Sequence, residues 1–259
     1  MVKSENFTVA ILQARMSSSR LPGKVMLKVN GQPMIYWQIK RIRQATTIDQ
    51  LVVATSTDSS DDPLVEFLRL NEVDVFRGSL TDVLSRFISV QDKLGPTSII
   101  RLTGDCPLVM PELIDRMASR FHQNDVDCLS NTVKPTYPDG LDIEIVKSAA
   151  LRKLNNFELT AEEREHVTLG IYRRPDLFTI ENFQGDVDLS ENRWTVDYPE
   201  DLEFIKLIFG EFEGREPYFT IEDTLKFLKN NPNFKSAISG SRRNEKLHDS
   251  ELEKRLTHD

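Results

Sequence analysis

The sequence predicts a three-layer α/β fold on a mostly parallel sheet, and three observations predict it. Short apolar runs alternate with helix-like stretches through the first half of the chain. The connections between them are short, so consecutive runs read as βαβ units. Proline stands where helices begin, at Pro33, Pro63 and Pro111.

Residues 8–13 (TVAILQ) are short and apolar, as a strand buried on both faces should be. Pro33 opens a helix with Ile35, Ile39 and Ile42 at helical spacing. Residues 51–55 (LVVAT) are the second strand. Asp62 and Pro63 read as cap and first turn of a helix carrying Leu64, Phe67 and Leu68. Residues 73–76 are the third strand. Leu80, Val83, Leu84, Phe87, Ile88 and Leu94 form the apolar stripe of the next helix. Residues 98–102 are the fourth strand, and Pro111 starts a helix whose core face is Ile114, Met117, Ala118 and Phe121.

The second half is less regular. Strands are expected at 126–129, 141–146 and 177–182, and helices at 148–156, 161–171, 200–209 and 221–229. Pro135, Pro138 and Gly140 mark a loop. A single domain is expected over residues 1–240, followed by a polar, charged tail at 241–259.

Composition excludes several classes. In 259 residues, 39% are hydrophobic and 29% charged, which is too apolar for a disordered chain. Cys106 and Cys128 cannot make a disulfide framework, so a reducing compartment is expected, with both as small buried hydrophobes. No run approaches the roughly 18 apolar residues of a membrane span. Residues 1–7 lack an apolar signal-peptide core. A cytoplasmic protein without a membrane partner is the expectation. The net charge of −8 argues against a nucleic-acid partner, which needs a basic face. That average hides an asymmetry. Residues 6–48 contain no Asp or Glu and carry +7, against −15 elsewhere, which suggests a local anion site. Lys40, Arg41 and Arg43 read as solvated helix charges; the others lie in or near one loop.

Parallel sheets bind ligands at the carboxyl ends of their strands. After the first strand comes Gln13-Ala14-Arg15-Met16-Ser17-Ser18-Ser19-Arg20-Leu21-Pro22-Gly23-Lys24. Small hydroxyl residues and glycine let backbone N–H groups approach an anion. Arg15 and Arg20 can fork onto phosphate oxygens, and Lys24 can act as a point charge. Neither G-x-x-x-x-G-K-[ST] nor G-x-G-x-x-G is present. A basic surface loop is the plain alternative.

After the fourth strand, Gly104 allows a tight turn that presents Asp105. Asp197 stands in RWTVDYP, after another strand-like stretch and before a helix starting at Pro199. Brought together, the two acids could share one Mg²⁺. Alone, each could be a turn or cap. Thr55 could meet a base or ribose, or be a plain turn residue. Arg77, Asp82 and Arg86 follow the third strand; Arg86 also suits a solvated helix charge. Asp142 and Glu144 would share one strand face, near Tyr137 and Asp139. Glu163, Glu165 and His166 could form a polar cluster, and Trp37 and Trp194 read as core.

The segments QARMSSSRLPGKVM, VVATSTDSSDDPLV, VFRGSLTDVLSRF, RLTGDCPLV, YPDGLDIEI, EREHVT and RWTVDYPEDLEFI occur in that order. Together they resemble the SpsF-like cytidylyltransferases of spore-coat polysaccharide biosynthesis. That family is similar to the CMP-sialic acid and CMP-KDO synthetases, and the resemblance covers roughly residues 8–233. It implies a glycosyltransferase-A-like nucleotidyltransferase fold and CTP-dependent, Mg²⁺-assisted activation of a sugar, expected to be a nonulosonic or other acidic sugar. It also implies a nucleotide half over about 1–125 and a sugar-binding, dimerising half over 126–240, hence a homodimer.

The basic positions of the relatives' triphosphate loop match Arg15, Arg20 and Lys24, and their metal aspartates match Asp105 and Asp197. Arg15, Lys24 and Asp105 are the expected catalytic residues. Gln13, Ala14, Ser17, Ser18, Thr55, Arg77, Asp82, Arg86 and Gly104 are further expected nucleotide contacts. Tyr137, Asp139, Asp142, Glu144, Glu165 and His166 are expected at the acceptor. The loop is less glycine-rich than in the sialic acid synthetases, which leaves the acceptor open. Three rival readings stand beside this one. They are cytidylyl transfer to a phosphorylated small molecule, a glycosyltransferase consuming a nucleotide sugar, and a non-catalytic nucleotide binder. The usual D-x-D metal motif of the glycosyltransferases has only Asp125-Val-Asp127 and Asp186-Val-Asp188 to offer, neither in a persuasive context.

Overall fold

The structure is a computed structural model that describes residues 6–232. The expected tail at 241–259 lies outside the described residues. A seven-stranded sheet runs in the order β5 (Asp74–Gly78), β4 (Gln50–Ser56), β1 (Thr8–Gln13), β6 (Ser98–Thr103), β8 (Glu144–Lys147), β7 (Cys128–Ser130), β9 (Ile180–Asn182). All neighbours are parallel except β8, which runs against both β6 and β7. The expected mostly parallel α/β sheet is therefore present.

β1 lies between β4 and β6, and Val9, Ala10, Ile11 and Leu12 are wholly buried. Alternate residues serve opposite layers. Ala10 and Leu12 pack with α1 (Met34–Ile42) and α4 (Pro111–Gln123), through Ile35, Ile39 and Ile114. Val9 and Ile11 pack with α3 (Val83–Leu94), through Val83, Leu84 and Phe87. This double burial explains an apolar run without alternation.

Four local details differ from the expectations. The loop after β1 does not lead straight into a helix. A short 3₁₀ turn (Lys24–Met26) and a small hairpin, β2 (Lys28–Val29) and β3 (Gln32–Pro33), come first. Asn30 and Gly31 both have positive φ, 42° and 75°, as a two-residue type I′ turn requires. Asp62 is the first residue of α2 (Asp62–Leu70), and the cap position belongs to Asp61. The helix expected over 161–171 is two pieces, α6 (Ala161–Glu165) and α7 (Leu169–Tyr172). Between them Val167 is buried at φ 51°, a costly conformation for a β-branched residue. No strand leads directly into Asp197; among the described residues, the stretch 183–197 after β9 carries one bridge, Arg193 to Asp139.

Arg41 is also corrected. It is fully buried rather than solvated. Its guanidinium donates to the carbonyls of Val109, Pro217 and Phe219 and lies 4.2 Å from the centre of the Phe219 ring. It thus ties α1 to the segment after Asp105 and to the chain between α8 (Pro199–Glu211) and α9 (Ile221–Asn230). Arg43 is exposed and Lys40 half-buried. Trp194, Cys106 and Cys128 are buried, and Trp37 is partly buried against Phe209. Among the described residues no helix is long and apolar enough to cross a membrane.

Candidate active site

A cleft of about 560 Å³ opens at the carboxyl ends of β1 and β6. β1 ends in Gln13, and the chain turns through Ala14 and Arg15 along the cleft wall. Gly104, just past β6, donates its N–H to the Gln13 carbonyl at 2.8 Å. A Cβ there would stand 3.0 Å from that of Ala14 and 3.2 Å from the same carbonyl. Glycine is what lets the two turns lie so close.

This approach brings Asp105 to the loop lysine. Lys24 Nζ donates to Asp105 Oδ2 at 3.3 Å, Asp197 Oδ1 at 3.0 Å and the Val196 carbonyl at 2.7 Å. Burial pushes the Asp105 carboxyl up, but the Lys24 charge and hydrogen bonds from Thr103 and Cys106 outweigh it, leaving a value of about 2. Burial opposes charge on Asp197 as well, and Lys24 and Arg193 still hold it below the ordinary range. Both acids are therefore ionised at neutral pH.

Asp197 carries further cations. Arg20 reaches Oδ1 at 2.8 Å and Arg193 reaches Oδ2 at 3.0 Å. Arg193 also pairs with Asp139 at 2.9 Å and Asp201 at 3.2 Å. Asp201 in turn accepts the Asp197 and Tyr198 N–H groups at the start of α8. Gly140 makes the Asp139 contact possible. Its φ is 103°, and a Cβ would fall 2.5 Å from the Trp194–Thr195 peptide.

The opposite wall is a closed network. Glu144 is bonded by Arg101, Tyr172 and Thr168, the last at 2.6 Å, and Arg101 Nε also donates to Gln13 Oε1 at 3.1 Å. Arg15 leans on Glu165 at 3.4 Å and on the Leu80 carbonyl. Arg86 is buried, so it is not a solvated helix charge. Burial, with Arg15 nearby, lowers its guanidinium to about 10. Its Nη1 donates to the Ala54 carbonyl, while its Nε has no hydrogen-bond partner among the described residues.

The cleft thus collects Gln13, Ala14, Arg15, Ser18, Arg20, Lys24, Arg86, Gly104, Asp105, Asp139, Asp142, Glu144, Glu165, His166 and Asp197 from the expected set. Five expected residues are not in its wall. Ser17 is exposed on the loop. Thr55 is wholly buried, and its hydroxyl goes to Asp61. Arg77 is taken up by the Ser56 and Asp58 carbonyls and by Asp62. Asp82 caps α3 through the Ser85 N–H and pairs with Arg164. Tyr137 is buried and stacks on Phe183. Sequence reasoning missed Arg101, Thr132, Thr168, Tyr172, Arg193 and Thr195 in the wall. Arg101 had a signal, a lone charge inside the apolar run SIIRL, since a buried charge demands a partner.

A parallel sheet whose first loop gathers cations, with two ionised aspartates held on a loop lysine, has the layout of a nucleotidyltransferase. The comparisons agree: the chain belongs to the cytidylyltransferase family, whose model matches residues 9–233. It is 34% identical over 236 residues to the spore coat polysaccharide biosynthesis protein SpsF of Bacillus subtilis, covering 88% of this chain and 96% of that one. It is 31% identical to the 3-deoxy-manno-octulosonate cytidylyltransferase of a Psychrobacter species, over 48% of this chain and 45% of that one. A solved cytidylyltransferase structure from Leptospira borgpetersenii superposes with a TM-score of 0.86 at 30% identity, covering 92% of this chain and all of that one. The chain is therefore an enzyme of cytidylyl transfer, which decides against the glycosyltransferase and non-catalytic readings.

Proposed function

We propose that the protein transfers the cytidylyl group of CTP to a hydroxyl of an acidic sugar, for surface polysaccharide or glycan biosynthesis. The sugar hydroxyl loses its proton to solvent as its oxygen attacks the α-phosphorus, the bond to the β-phosphate oxygen breaks, and pyrophosphate leaves with that electron pair. The observation that carries this reading is the Lys24 ammonium lying on both Asp105 and Asp197 at the mouth of a cationic loop. An acidic acceptor is suggested by the name of the octulosonate-specific relative, and carrying it to this chain is part of the proposal.

Arg15, Arg20 and Lys24 bind the triphosphate, and Lys24 and Arg15 offset charge on the departing pyrophosphate. Arg86 faces the same ligand from α3. Arg193 and Asp201 hold Asp197 in place, and Gly104 keeps Asp105 against the loop. Asp139, Asp142, Glu165 and His166 line the acceptor side.

Among the described residues no three His, Cys, Asp or Glu side chains converge as a metal cluster. Two hard, ionised carboxylates nonetheless suit Mg²⁺, which is held by one or two carboxylates together with substrate phosphates. Asp105 and Asp197 would hold it. When bound, the ion supplies charge to the phosphate oxygens and acidifies the attacking hydroxyl.

The test is pyrophosphate release with each nucleoside triphosphate against nonulosonic acids, KDO-like acids and phosphorylated small molecules. The reading expects CTP with a sugar acid. Turnover confined to a phosphorylated acceptor would replace the sugar. The proposal includes a homodimer paired through the second half; a monomer mass by light scattering at micromolar concentration would remove that part.

A further inference from the structure

Asp61 lies outside the cleft, and its interactions lead into it. The residue is fully buried. Its Oδ1 accepts the Met16 N–H at 2.7 Å. Its Oδ2 accepts the Thr55 hydroxyl at 2.8 Å, the Ser56 N–H at 3.0 Å and the Ser56 hydroxyl at 2.5 Å. Four donors therefore converge on one carboxylate, three from the end of β4 and one from the cationic loop. Hydrogen bonds to its charged form favour ionisation, and the carboxyl sits below its ordinary range although burial opposes this.

Met16 is the node through which this reaches the ligand side. Its carbonyl accepts the Ser18 N–H at 2.9 Å and the Gly23 N–H at 2.8 Å. Gly23 stands immediately before Lys24 with φ 70°. Arg15 precedes Met16, so the Asp61 bond fixes the peptide that follows the arginine. Ala14 N–H bonds the Ala54 carbonyl at 3.2 Å, a second tie between the loop and the same strand.

We propose that Asp61 is a positioning residue for the triphosphate loop, anchoring the Met16 peptide to β4 so that Arg15 and Lys24 stand ready for the phosphates. The proposal rests on the loop's assignment to CTP. Asparagine cannot replace the carboxylate. An amide offers one acceptor oxygen and turns an NH₂ donor toward donors on the other side, so one of the two groups of bonds is lost.

The experiment measures binding of CTP, CMP and inorganic pyrophosphate by calorimetry to wild type, Asp61→Asn, Ser56→Ala, Lys24→Ala and the Asp61→Asn/Lys24→Ala double variant. The melting temperature of each is recorded, and binding is measured well below it. Asp61→Asn is expected to weaken CTP and pyrophosphate by about tenfold to a hundredfold and CMP much less. Ser56→Ala, which removes one of the four Asp61 donors and the acceptor of the Asp58 N–H, should weaken CTP in the same direction by a smaller factor. In the Lys24→Ala background Asp61→Asn should cost distinctly less, because part of the anchor's effect runs through that lysine.

Equal loss of all three ligands, or full additivity in the double variant, would reduce Asp61 to a structural residue and overturn the proposal. So would wild-type CTP binding in Asp61→Asn. If Asp61→Asn does not fold, Ser56→Ala with unaltered CTP affinity overturns it. A wild-type protein that binds no CTP, or Lys24→Ala that binds it normally, would instead sink the loop assignment itself.

Discussion

The arginines of the loop and those elsewhere in the cleft are held differently. On the loop wall, Arg15 and Arg20 keep 37% and 41% of their side chains exposed. Away from the loop, Arg101 on β6 and Arg193 before α8 keep 13% and 10%, and each is locked to at least one carboxylate. An exposed guanidinium with one light partner can exchange it for a phosphate at little cost. A buried one in a closed network cannot leave without stranding its partners. The loop arginines are therefore built to change partners, whereas Lys24 on the same loop and the arginines away from it are held in place.

The largest effect should come from breaking the fixed network around Arg193. Arg193→Met removes the buried cation that Asp139, Asp197 and Asp201 share, and should cost about 3–5 kcal/mol by chemical denaturation. A loss near that of an exposed ion pair would mean that the network is not sealed. Asp105→Asn should cost less stability than this, only the share its depressed carboxyl contributes, and cut pyrophosphate release by a hundredfold to a thousandfold, about 3–4 kcal/mol in the barrier. Near-normal turnover would remove Asp105 from the reaction. Arg20→Ala, on the exposed loop, should raise the CTP requirement only about threefold to tenfold and leave the melting temperature within experimental scatter. A folding defect in this variant would show that the loop wall is structural after all.

Acid titration gives the smallest effect and the most diffuse. Asp61, Asp105 and Asp197 have carboxyls held below their ordinary values. Each is depressed in the folded state, so the unfolded chain binds the proton first and stability falls as pH drops. The loss should begin near the ordinary value of 3.8 and continue toward about 2, where Asp105 titrates. Between pH 7 and 5 these groups should contribute no slope. Melting temperature against pH checks this, and Asp105→Asn should flatten the acid limb.

Much of this was legible in the sequence because local chemistry carries it. The buried run 8–13, the helix stripes and the cation-rich loop each follow from a segment read alone. Gly104 and Asp105 were legible because a strand end, a glycine and an acid stand together. The rest depended on partners distant in the chain. Arg41 looks solvated beside Lys40 and Arg43 until the carbonyls of Val109, Pro217 and Phe219 arrive. Thr55 and Arg77 sit at strand ends as expected, yet Asp61 and Asp62 claim their polar atoms. Asp61 itself reads as one acid among several in SSDDP, and only its four donors distinguish it. The break at Val167 was hidden by the strongly helical AEERE before it, although Gly170 and Ile171 after it are weak helix formers.

The central claim is that the loop lysine and the two aspartates form the working centre of a CTP-dependent transferase. Its most direct test is steady-state pyrophosphate release as a function of CTP, with an active sugar acid, for wild type and Lys24→Ala. The account predicts saturable, CTP-selective release in wild type, and a CTP requirement raised about a hundredfold in Lys24→Ala, the worth of a buried charge-assisted contact. An unchanged CTP dependence in Lys24→Ala would contradict it.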